Sequence, residues 1–142
     1  MPTRHAHAIW EGTLVEGKGT MELGSGAFSG KYSYLSRFKD GPGTNPEELL
    51  GAAHAGCYSM FLGKLLGDAG LPAKKLKTKA AVTVEVSDAG VFITKIALQL
   101  EADVPGIDNE KFMKLANQAK AECPISKAVA SVESITLEAK LL

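Results

Sequence analysis

"NPEELLGAAHAGCYSM", residues Asn45–Met60, opens as a capped helix and then runs uncharged through small residues to a single cysteine, Cys57. Asn45 is a good N-cap, Pro46 suits the first helical position, and Glu48 sits where a capping-box acid reaches back to the cap. No residue from Leu49 to Gly63 carries a charge. That predicts a helix buried on all sides, although the run is short for a membrane span. Gly51, Ala52, Ala53, Ala55 and Gly56 give the helix little girth, so a sheet or a second helix can approach closely, a tight dimer seam being one such arrangement. The other elements are expected to wrap around it.

Before this helix, "HAHAIWEGTLVEGKGTMEL" has short β-type runs broken by Gly12, Gly17 and Gly19, as in an antiparallel meander. A further strand is expected through Tyr32 and Tyr34, ending at Gly41, Pro42 and Gly43, with Arg37 between strand and break. After the helix, "KTKAAVTVEVS" puts Thr78, Ala80, Val82, Val84 and Val86 on one face, and "VFITKIALQLEA" does the same with Phe92, Thr94, Ile96, Leu98 and Leu100. Asp88, Ala89 and Gly90 supply the turn of this long hairpin. A second helix then begins near the cap Asp108 and carries Phe112, Leu115, Ala116, Ala119 and Cys123 at helical spacing. The closing "SITLEAKLL" alternates as a half-buried strand. The expected fold is α+β: mostly antiparallel sheets wrapped around a buried central helix, in one domain spanning residues 1–142.

At 142 residues and 45% hydrophobic, such a domain buries roughly two-thirds of its unfolded surface. Sixteen basic residues balance sixteen acidic ones, which argues against nucleic acid or an anionic membrane as partner. The opening "MPTRHAHAIWEG" lacks the apolar core of a signal peptide, so a cytoplasmic location is expected.

Two cysteines are too few for a disulfide-stapled scaffold, leaving reactive thiols, inert buried thiols or metal ligands. Pro124 disfavours helical geometry at Cys123, so the helix should end there and a short new one, "PISKAVA", should start with the cysteine at its N-cap, a position that favours the thiolate. Simple core filling by Cys123 fits the spacing equally well. Burial of Cys57 favours its neutral thiol, so a nucleophilic role there requires a cation. His54, three residues earlier on the same face, is placed to share a proton or a metal with Cys57. A zinc module of His54, Cys57 and Cys123, with a fourth ligand such as His5 or His7, is an alternative, but no CxxC or HxxxH spacing supports it.

"GTNPEELLGAAHAGCYSM" resembles the first-cysteine signature of the OsmC/Ohr family, the osmotically inducible and organic hydroperoxide resistance proteins. "AECPISKAV" is similar to the family's second-cysteine segment and "HAIWEGTLVEGKGT" to its opening strands, so the likeness covers nearly the whole chain. "GAAHAGC" and the arginine of "LSRFKDGPGTNPEE" look more like the OsmC branch. The resemblance implies a cysteine-based peroxidase that reduces organic hydroperoxides with no cofactor and no metal. It implies attack by Cys57, resolution by Cys123 through a Cys57–Cys123 disulfide, a cation supplied by Arg37, and Glu47 orienting that arginine. It also implies an intertwined homodimer with active sites at the interface. The implied reductant is a dithiol, with lipoyl groups on partner proteins as a candidate.

The same thiols would serve a redox sensor or disulfide-exchange protein without turnover, the alternative that steady peroxide consumption separates. Tyr58, Phe61 and Phe38 are candidates to line an apolar cleft for the organic tail. Glu47 and Cys57 stand ten residues apart, about 15 Å of rise in a continuous helix. Arg37 must therefore bridge them, or Arg37 and Glu47 serve the thiol of a partner subunit.

Overall fold

In the computed structural model, which describes residues 1–142, the glycine-punctuated start folds as an antiparallel meander of β1 (Ala6–Glu11), β2 (Lys18–Leu23) and β3 (Ser29–Tyr32), in the order β1-β2-β3. Gly19 of β2 lies opposite Trp10 on one side and Tyr32 on the other. A Cβ there would meet Tyr32 Cε1 at 2.5 Å and Trp10 Cε3 at 2.7 Å. Its absence lets the two rings meet across the strand, centroids 5.2 Å apart.

The strand expected to continue through Tyr34 stops at Tyr32, and Tyr34–Phe38 forms a short helix, α1. A reciprocal cap overrides the β-prone tyrosines: the Ser36 amide donates to Ser33 Oγ at 3.2 Å, and the Ser33 amide donates to Ser36 Oγ at 2.9 Å. Ser36 Oγ also donates to the Thr44 carbonyl at 2.7 Å, tying α1 to the loop before the next helix. Gly43 closes that loop at φ +116°, where a Cβ would meet the Lys31 carbonyl oxygen at 2.6 Å.

Helix α2 (Pro46–Asp68) starts as its sequence predicts, the Glu48 amide donating to Asn45 Oδ1 at 2.8 Å. The Glu48 carboxylate does not complete the box and instead accepts from the Thr44 hydroxyl at 3.0 Å. By contacts the chain divides into two compact units, Met1–Leu49 and Leu50–Leu142.

The second unit holds the hydrophobic core. There α2 buries Gly51, His54, Tyr58, Leu62 and Leu66, one stripe at helical spacing. Gly51 faces β4 (Lys75–Ser87) with room to spare for a methyl group, since a Cβ at this site would make only an ordinary contact, 3.4 Å from Val82 Cγ2. Burial on every side, expected from the uncharged run, is not reached within one chain: Ala52, Ala53, Gly56 and Met60 are exposed, Met60 by 81%. The sheet and the following helices cover only the opposite face.

β4 pairs antiparallel with β5 (Gly90–Asp103), and β6 (Ser134–Leu141) adds parallel to β5, giving the order β4-β5-β6. Lys75, Lys77 and Lys79 alternate outward along β4, at the free edge of this sheet. Ile96, Leu98, Leu100 and Ala102 of β5 are fully buried as their alternation predicts. Toward the hairpin tip the phase changes at a bulge, where the register shifts between Thr83 and Val84. The extra residue turns Ile93 toward the core and leaves Phe92 51% exposed, reversing the face expected for Phe92.

Helix α3 (Asn109–Glu122) is capped by Asp108, which accepts from the Lys111 amide at 2.8 Å, and buries Phe112, Ala116 and Ala119. Pro124 then opens α4 (Pro124–Ala128) with Cys123 as its N-cap, as expected from the Cys-Pro step. No helix is long and apolar enough to cross a membrane.

Tyr58 is fully buried, its hydroxyl donating to the Ala116 carbonyl at 3.1 Å. It is a core residue joining α2 to α3, not the lining of an open cleft. Tyr58→Phe removes one buried hydrogen bond and no apolar volume, so it should cost about 1 kcal/mol, read as a lower urea midpoint at an unchanged slope.

Candidate functional site

The residues singled out in the sequence fall into two groups, one in each unit. In the first, α1 presents Arg37 from its last turn and α2 presents Glu47 from its first. The Arg37 fork grips the carboxylate with Nη2 at 2.8 Å and Nε at 3.1 Å from Oε1, and Nε also lies 3.3 Å from Oε2. Glu47 is nearly buried, whereas the Arg37 side chain is 33% exposed. The guanidinium also lies over the Phe38 ring, 5.1 Å from its centroid. Two contacts on one edge of the fork fix its plane and leave Nη1 free to donate elsewhere.

In the second unit both thiols are free, Cys57 half-buried and Cys123 fully buried. Burial pushes the Cys57 thiol up. The backbone N–H of Ile125 pulls it down, and the neighbouring Cys123 pushes it up again. Cys57 packs against the buried cluster that includes Cys123, although α3 and α4 are remote from it in sequence. The cap geometry does this work: α3 ends at Cys123, Pro124 starts α4, and the turn between them carries the Cys123 thiol and the Ile125 amide to α2. Cys123 Sγ itself accepts from the Ser126 amide at 3.3 Å.

His54 points elsewhere than expected. Its Nε2 lies 2.8 Å from Ser126 Oγ, and Ser126 Oγ lies 3.1 Å from Cys123 Sγ. The imidazole thus reaches the second cysteine through a serine, and does not partner Cys57. Burial lowers the His54 pKa, keeping the ring neutral near pH 7. Ser126 was not singled out in the sequence, yet the signal is present: it stands three residues after an N-cap, where its amide and side chain face the cap.

Nothing gathers the histidines and cysteines for zinc. His5 and His7 are exposed, and no three His, Cys, Asp or Glu side chains converge as a metal site requires. The zinc alternative has no geometric support.

Comparison with known proteins adds a family. Residues 39–138 match the model of the OsmC family, described as OsmC-like protein. The chain is 45% identical to Peroxiredoxin OsmC of Escherichia coli (strain K12) over 139 residues, 97% of this chain and 96% of that one. It is 30% identical to Organic hydroperoxide resistance protein OhrB of Bacillus subtilis (strain 168) over 99 residues, 69% and 71% of the two chains. An OsmC-like protein of unknown function from Vibrio cholerae, 18% identical, shares the fold at a TM-score of 0.74 over the whole of both chains.

Proposed function

The chain belongs to the OsmC family, and from that premise we propose that it is a cysteine-based peroxidase that reduces organic hydroperoxides to alcohols. The observation that carries the reading is that Cys57 packs against the buried cluster that holds Cys123. A thiol beside the attacking cysteine is what resolution of a sulfenic acid requires. The relatives named for peroxiredoxin and organic hydroperoxide resistance activity support the same chemistry.

In the proposed cycle the Cys57 thiolate attacks one peroxide oxygen and the O–O bond breaks. The alkoxide leaves and takes up a proton to become the alcohol, and Cys57 is oxidised to sulfenic acid. Cys123 then displaces the hydroxyl as water, forming the Cys57–Cys123 disulfide. A dithiol reductant, with lipoyl groups on partner proteins as a candidate, reopens it. Arg37, held by Glu47, supplies the positive charge that a half-buried thiolate needs, and its free donors meet the charge developing on the peroxide oxygens.

Of the two arrangements that the helical rise leaves, we propose the one in which this Arg37–Glu47 pair serves the thiol of a second copy, in a homodimer with active sites at the interface. Two features support that assembly. None of the fully buried hydrophobic side chains lies in Met1–Leu49, and Ile9, Leu14 and Val15 there are at least 60% exposed. The small-residue face of α2 is likewise open. A cytoplasmic location completes the reading.

The test supplies cumene or tert-butyl hydroperoxide with a dithiol and follows consumption. Steady loss of the organic peroxide, faster than loss of hydrogen peroxide, is expected. A single stoichiometric reaction without turnover would instead mark a redox sensor.

Arg37→Lys separates charge from geometry. Lysine keeps the charge but loses the fork that holds Glu47 and peroxide together. Thiolate titration of Cys57 should be nearly unchanged, while the rate constant for organic hydroperoxide falls at least about tenfold, or about 1.4 kcal/mol of transition-state stabilisation. A parental rate in the variant would reduce Arg37 to a source of charge.

A further inference from the structure

The cycle above uses neither His54 nor Ser126, yet both are buried and joined in a line that ends on a reacting sulfur: His54 Nε2 to Ser126 Oγ at 2.8 Å, and Ser126 Oγ to Cys123 Sγ at 3.1 Å. A histidine kept only for packing normally has both ring nitrogens satisfied. Here Nδ1 is buried and no protein group partners it. The two contacts allow either donor direction, and in the one that serves a base the Cys123 S–H donates to Ser126 Oγ and the serine hydroxyl donates to Nε2. In that direction the proton of the neutral ring sits on the unpartnered Nδ1, and Nε2 holds a lone pair facing the serine.

We propose that Ser126 and His54 form a proton relay for Cys123, removing its proton as it attacks the oxidised Cys57 and returning it when the disulfide reopens. The proposal rests on the peroxidase reading and deepens it. In the forward step the Cys123 electron pair forms the S–S bond and the Cys57 S–O bond breaks, its pair leaving with hydroxide. The Cys123 proton passes to Ser126 Oγ as the serine proton passes to His54 Nε2. Hydroxide takes a proton and departs as water, and the imidazolium loses one to become neutral again. The sum is thiol plus sulfenic acid giving disulfide plus water. In the return step one thiol of the dithiol attacks Cys57, the less buried sulfur. Cys123 leaves as a thiolate stabilised by the Ser126 amide and receives, through His54 and Ser126, the proton that the attacking thiol gave up; the second thiol of the reductant then displaces Cys57, which takes that thiol's proton.

The surroundings suit this role. The other titratable groups near the line are Cys57 and Tyr58 of α2, and the Tyr58 hydroxyl is committed to the Ala116 carbonyl. The buried faces of β5 and α3 are apolar throughout, from Ile96 to Ala102 and from Phe112 to Ala119, and no charged side chain acts on the ring. A neutral base in an apolar wall accepts a proton without competing for it beforehand.

The test follows both steps after mixing the parent, His54→Gln, Ser126→Ala and Ser126→Thr with one equivalent of cumene hydroperoxide. Sulfenic acid and disulfide are counted by mass after quenching. Relative to sulfenic acid formation, conversion to disulfide should slow at least about tenfold in His54→Gln and Ser126→Ala, and recover in Ser126→Thr, which keeps a hydroxyl. The parental conversion should be nearly flat around neutral pH. Without the relay it should climb by up to about tenfold per pH unit as hydroxide takes over ionisation of Cys123. Conversion at the parental rate, or slowing with the parental pH profile retained, overturns the relay. Should the variants misfold, the parent still decides: conversion unaffected by deuterated solvent also overturns it. Failure of the parent to form sulfenic acid is a separate outcome that removes the peroxidase reading, and the relay with it.

Discussion

Cys57→Ser is expected to reduce steady consumption of organic hydroperoxide to the background of the reductant alone. The argument is one of ionisation. O–O cleavage by displacement needs an anionic nucleophile, and a serine hydroxyl is far too weakly acidic to supply one near neutral pH. Cys57 is itself pushed toward the neutral thiol by burial and by Cys123, with the Ile125 amide opposing. The parental rate should therefore rise with pH as the thiolate fraction grows. The serine variant should show neither rate nor rise. Its unfolding midpoint provides the control, since one atom changes at a half-buried position. Peroxidase turnover retained in this variant would falsify the mechanism.

Cys123→Ser is expected to consume about one equivalent of peroxide and then stall, because attack by Cys57 remains but its resolving partner is gone. Mass analysis should find sulfenic acid first and over-oxidised Cys57 later, with no intramolecular disulfide. The buried position makes the distinction sharp. Cys123 has no exposed surface, so solution thiols reach the pair only at the more open Cys57. Normal turnover of Cys123→Ser with a dithiol would make Cys123 a packing residue.

The local signals legible in the sequence were those whose cause is also local. The Asn45 cap and the new helix at Pro124 depend on residues within one turn, and both form as read. The β5 alternation from Ile96 to Ala102 likewise survives, because one face of that strand meets the core. The failures come from interactions that periodicity does not carry. Ser33 and Ser36 cap each other and draw Tyr34 into α1, against the β-propensity of the tyrosines. A bulge near Thr83 inverts the hairpin tip by one residue, which no alternation pattern announces. The exposed face of α2 reflects the number of neighbours one chain can offer, a quantity absent from the helix itself. At the site, the two cysteines stood out as the only thiols of the chain, while their roles and the Arg37–Glu47 pair came from the resemblance to a family. Ser126 escaped because its meaning arises only when α4 swings it between His54 and Cys123.

The lysines at 75, 77 and 79 have a role in what they prevent. β4 leaves one side of its backbone ladder unpaired, and an open ladder is a template on which another chain can add a strand. Three like charges at alternate positions along that edge meet any identical approaching edge with repulsion, and each would lose hydration in a docked ribbon. Concentrated salt screens this guard, so the margin against edge-to-edge aggregation is widest in dilute buffer.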